Sequence, residues 1–118
     1  MSTNLSRYLV ALLVFLGISR IDAMECPDPM EPTIESLHRC VMHAADMEHI
    51  DNDGIARSLE AKLETAQAAQ DRRQTEVSVR LLLAFIREVN AQAGNHVEAE
   101  HAQHMIHHAQ LVIEALES

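Results

Sequence analysis

Four stretches of the chain repeat apolar residues at helical spacing, with short polar interruptions between them. The first follows Pro32, where Thr33 is placed to cap a helix carrying Ile34, Leu37, Val41 and Ala44 on one stripe. That helix is expected to end near Glu48, with Ile50 folding back into the core. "DNDG" at 51–54 then breaks the pattern and offers cap oxygens to a second helix. On it, Ile55, Leu59, Leu63 and Ala66 recur at spacings of four, four and three. "QDRRQ" marks the next turn weakly, having neither Gly nor Pro. A third helix from about Thr75 to Ala93 carries Val77, Leu81, Leu82, Phe85, Ile86 and Val89, and Gly94-Asn95 is suited to close it. The fourth spans His96 to Leu116. At about 100° per residue, its Ala102, Met105, Ile106, Ala109, Val112, Ile113 and Leu116 share one apolar face.

Connections this short force neighbouring helices antiparallel, so residues 33–118 are expected to form an all-α, up-and-down four-helix bundle. Its core is expected on the shared face of Leu59, Leu63, Phe85, Ile86 and Ile106. Composition agrees. A chain of 118 residues has room for one domain, and 3% aromatic residues, no Trp, three Gly and three Pro suit helices better than sheets.

The first 23 residues stand outside the pattern. Arg7 precedes an eleven-residue apolar run from Tyr8 to Ile18, followed by small or polar residues up to Ala23. This is the layout of a cleaved secretory signal peptide over 1–23, and the run is short of the ~20 residues a spanning helix needs. The mature protein is therefore expected to be periplasmic or secreted, without stable membrane insertion. Residues 24–32 form a Pro-rich segment containing all three prolines. Cys26 lies in it and Cys40 on the first helix. An even cysteine count in an exported chain reads as a disulfide, Cys26–Cys40, tying that segment to the bundle.

The formal net charge of the whole chain is −9, and removing Arg7, Arg20 and Asp22 with the signal makes it more negative still. Nucleic acid and anionic lipid need the opposite sign, which excludes them as expected partners.

"IDNDGIARSLEAKLETAQAA", "LLAFIREVNAQAG" and "AEHAQHMIHHAQLVIEAL" resemble the successive blocks of the FIMAH domain family. The resemblance covers roughly residues 33–117. It rests on Gly54, Ser58-Leu59, Lys62-Leu63, Ala66, Ala84-Phe85-Ile86, Val89, Gly94, Ala102, Ile106, Ala109 and Ile113. The Ser-Leu-x-x-Lys-Leu and Ala-Phe-Ile blocks are its most specific parts. It implies a small helical module of secreted and surface bacterial proteins, and it transfers no catalytic residue. The implied role is an exported, non-catalytic interaction module for an extracytoplasmic protein or polysaccharide. Two departures stand out: no enzyme or repeat domain accompanies the bundle in these 118 residues, and histidine is far more abundant than the family pattern requires.

Catalytic signatures are missing. The chain has no Gly-x-Ser-x-Gly, His-Glu-x-x-His or Gly-rich phosphate loop, and no enzyme activity is expected. Asp51, Asp53 and Glu60 match calcium-loop positions around Gly54, but His49 would occupy the first ligand position, where calcium prefers oxygen. Helix capping explains the same residues more simply.

Five of the eight histidines fall between His96 and Leu116. His101, His104 and His108 share a narrow strip bordering the apolar face, whereas His107 turns to solvent. His101 and His108 rise about 10 Å apart along the helix, so a single tight site requires donors from another helix. His38, Met42, His43, Met47 and His49, on or just after the first helix, could supply them. The candidate ligand set is His101, His104 and His108 with His38, His43 and Met47, suited to copper, zinc or nickel. The favoured expectation is no cofactor and an exposed histidine strip. A small metal-binding protein is the alternative.

Overall fold

The computed structural model describes residues 32–118, which contain four helices: α1 (Ile34–Asp46), α2 (Asp53–Asp71), α3 (Thr75–Gln92) and α4 (Ala99–Glu117). Each helix packs on its neighbours in the chain, and α1 also packs on α4, which closes the ring. This is the expected up-and-down bundle. The expected signal peptide over 1–23 and Cys26, with its expected disulfide, lie outside the described residues. No helix among the described residues is long and apolar enough to cross a membrane.

Local chemistry fixes the helix ends. Thr33 caps α1 through a reciprocal box: its Oγ1 accepts from Ser36 N–H at 2.9 Å, and Ser36 Oγ accepts from Thr33 N–H at 3.1 Å. Asn52 Oδ1 caps α2 by accepting from Ile55 N–H at 3.0 Å, so "DNDG" starts a helix as expected. Both α1 and α2 end in the same double-bonded turn with a left-handed residue. Glu48 (φ 62°) and His49 donate back to Ala45 and Ala44, and Arg73 (φ 61°) and Gln74 donate back to Gln70 and Ala69. Neither left-handed residue is glycine, which is why the "QDRRQ" turn was faint in the sequence. Gly94 (φ 78°) follows the last residues of α3 as expected.

Ile34, Leu37, Val41, Ala44, Leu59, Leu63, Ala66, Leu82, Phe85, Val89, Ala102, Met105, Ala109 and Val112 are all buried, joined by Ile50 and Val97 from the connectors. Several positions differ from expectation. Val77 is exposed because Ser78 takes the inward place on α3 and donates its hydroxyl to the Ala66 carbonyl of α2. Ile55, Leu81, Ile86, Ile106, Ile113 and Leu116 are only partly buried and flank the core. The buried face of α4 turns instead toward His108, which is 1% exposed because α1 covers it. Across α2 and α3, Lys62 Nζ and Ser58 Oγ both donate to Glu88 Oε1 at 2.9 Å, linking two positions of the Ser-Leu-x-x-Lys-Leu block to the facing helix.

Candidate functional site

Two connectors meet at one end of the bundle. The left-handed turn at Glu48 sends His49–Asp51 alongside His96–Glu98, and Ile50 and Val97 pair as an isolated antiparallel bridge. Asp51 N–H donates to the His96 carbonyl at 3.0 Å, and Glu98 N–H donates to the His49 carbonyl at 2.8 Å. Side chains alternate across such a pairing. Ile50 and Val97 point into the core, so the flanking pairs 49/98 and 51/96 are held on the outside.

These flanking pairs are histidine–carboxylate pairs. His96 Nδ1 lies 2.8 Å from Asp51 Oδ1, and His49 Nδ1 lies 3.1 Å from Glu98 Oε2. From the first turn of α4, His101 Nδ1 reaches the other oxygen, Glu98 Oε1, at 3.2 Å. The His49 and His101 rings stack with centroids 3.7 Å apart and planes inclined by 17°. The hydrogen bond from His49 is the main cause holding the Glu98 carboxyl below its ordinary value, opposed by partial desolvation and aided by the charges of His49 and His101. A recess of about 370 Å³ opens beside the cluster, lined by Glu48, His49, Asp51, His96, Val97 and Glu98 among others.

The strip selected from the sequence is divided by the fold. His101 joins His49 and Glu98. His108 is sealed between α4 and the start of α1, its Nε2 2.9 Å from Ser36 Oγ, which contradicts the expected exposure. The Ser36 hydroxyl donates to the Thr33 carbonyl at 2.9 Å, leaving His108 to donate from Nε2–H. Its Nδ1 is then a buried lone pair without a hydrogen-bond partner. Burial lowers the His108 pKa, and neighbouring His104 and His107 lower it further. His104 is half-buried, and His107 faces solvent as expected. His38 points toward α2, its Nε2 3.8 Å from Glu60 Oε1, while the Nε2 of His43 is buried without a partner. Met47 is half exposed at the end of α1.

Among the described residues, His49, Glu98 and His101 form the group whose ligand atoms converge, all within 4.8 Å of one another. Glu98 was missed because its partnership depends on the pairing of two connectors 45 or more residues apart. A faint signal existed: "HID" and "HVE" each place an apolar residue between histidine and carboxylate, the pattern of a short strand with one face buried.

No curated protein and no solved structure matches the chain. The model of one family, described as the FIMAH domain, matches residues 34–114, from the first residue of α1 into the last turns of α4. The match takes in both connectors and all four helices except the last residues of α4. The chain belongs to the FIMAH domain family.

Proposed function

We propose that this chain is an exported, non-catalytic helical binding module of a bacterial envelope or secretome. Its expected partner is an extracytoplasmic protein or polysaccharide rather than nucleic acid or lipid. The family match over the whole bundle is the observation that carries this reading. The Arg7-led apolar run supports export by signal cleavage near Ala23, to the periplasm or the medium. Cys40, buried on α1, is proposed to pair with Cys26 once the chain reaches an oxidising compartment. Binding is assigned to the recess between the connectors, where carboxylates and imidazoles present hydrogen-bonding groups on a backbone held by the Ile50–Val97 bridge. The metal-handling alternative built on His38, His43, Met47, His101, His104 and His108 is carried less far: of those residues only His101 joins a converging group of His, Cys, Asp or Glu donors among the described residues, with His49 and Glu98.

Fractionation with intact-mass measurement, followed by co-sedimentation with isolated cell-envelope polysaccharide and with envelope proteins, tests the proposal. The exported chain should lack about its first 23 residues and be two hydrogens lighter than its reduced form. It should bind one of the two fractions saturably, and Asp51→Ala with His96→Ala should weaken that binding without unfolding the bundle. Retention in the cytoplasm, or binding unchanged in the double variant, would overturn the respective half of the proposal.

A further inference from the structure

The geometry points to His49, Glu98 and His101 as the binding site for one divalent late first-row transition-metal ion, with Zn(II) as the representative. Two imidazole nitrogens and a carboxylate are the donor set such ions favour, and one that Mg(II) and Ca(II) do not. The three residues come from two connected parts of the fold. His49 sits in the α1–α2 connector, whereas Glu98 and His101 sit at the start of α4. Backbone hydrogen bonds hold those parts together on both sides of Ile50–Val97, so the donors are gathered before any ion arrives.

Distances favour the assignment. Ligand atoms around a tetrahedral Zn(II) with bonds of about 2.0–2.1 Å stand roughly 3.3 Å apart. The two nitrogen-to-carboxylate separations are 3.1 and 3.2 Å, and no pair within the group exceeds 4.8 Å. Binding therefore needs the two imidazoles to rotate out of their stack, because an ion lies in the plane of each ring that binds it and these planes, inclined by only 17°, do not share one ion as they stand. Each neutral imidazole would bind through its Nδ1 lone pair, with its ring proton on Nε2.

Two further observations agree. Glu98 occupies the N-cap position of α4, yet its side chain makes no capping bond to that helix and serves the two imidazoles instead. The cluster is also only partly covered: His49, Glu98 and His101 side chains are 23%, 52% and 21% exposed. Three protein donors with solvent access leave a position for water or for a donor atom of a bound molecule. Glu48 and Asp51 on the recess wall add negative charge around the ion. An ion here would crosslink the two connectors, independently of what the module binds.

Isothermal titration of the metal-stripped, purified chain with Zn(II), run beside Mg(II), tests the site. Wild type should bind one Zn(II) per chain and no Mg(II), and should melt at higher temperature with Zn(II) present. Loss of a mere supporting residue at a metal site costs about 10–100-fold in affinity, so His49→Ala, Glu98→Gln and His101→Ala should each lose at least that much. His104→Ala and His107→Ala should bind as wild type does. Ring-nitrogen shifts in NMR should place the metal on Nδ1 of His49 and His101. They also decide the matter where a variant fails to fold. Absent stoichiometric binding in wild type, or binding kept in Glu98→Gln and lost in His104→Ala, would overturn the assignment, while leaving the partner-binding proposal untouched.

Discussion

His101 and His108 lie two turns apart on α4, on nearly the same side of the helix, and end in opposite surroundings. His101 shares a carboxylate with His49 at a solvent-facing recess, whereas His108 is closed off against the Ser36 hydroxyl. The difference comes from the antiparallel neighbour. At the level of His108, α1 offers its first turn, densely packed and already tied by the Thr33–Ser36 box. At the level of His101, α1 has ended and its connector has turned outward through Glu48. A side chain's angular position on its own helix thus sets which neighbour it meets. Where that neighbour begins and stops decides whether it is buried.

Truncation should separate the two sites most sharply. His108→Ala empties a buried position and deprives Ser36 of a donor, and should destabilise the bundle by about 2–4 kcal/mol in urea unfolding. A loss below ~1 kcal/mol would show that α1 does not seal this end. His101→Ala, measured without metal, removes one partly exposed pair and should cost less than ~1 kcal/mol. A loss as large as that of His108→Ala would erase the contrast and make the connector cluster a part of the core.

Helix number, order and most of the core were legible because the apolar spacing in Ile34–Ala44, Leu59–Ala66 and Leu82–Val89 is clear, and these stripes are buried apart from Ile86, which flanks the core. The family was legible from the same blocks. Boundaries were less so. The fourth helix was expected from His96 but begins at Ala99, since Val97 is held by bonds to Gln92 and Gly94 and Glu98 N–H is bound to His49. The site was half legible. His101 was selected and His49 was noted as a donor from the other side, but Glu98 needed the connector pairing. His108 was misplaced because a border residue on a helical wheel is buried or exposed according to how far the next helix reaches.

The account rests most heavily on His108 being a sealed, neutral imidazole that donates from Nε2. NMR of its ring nitrogens across a pH titration tests this directly. With its folded pKa lowered by burial, the unfolded chain takes up the proton first as pH falls. The His108 contribution to stability is therefore complete above about pH 6.5, the unfolded value, and declines below it. The expected result is a single Nε2–H tautomer at neutral pH, titrating below the ordinary histidine value. In parallel, His108→Gln should lose less stability between neutral and mildly acidic pH than wild type. A His108 ring that exchanges freely between tautomers and protonates at or above the ordinary value would contradict the account.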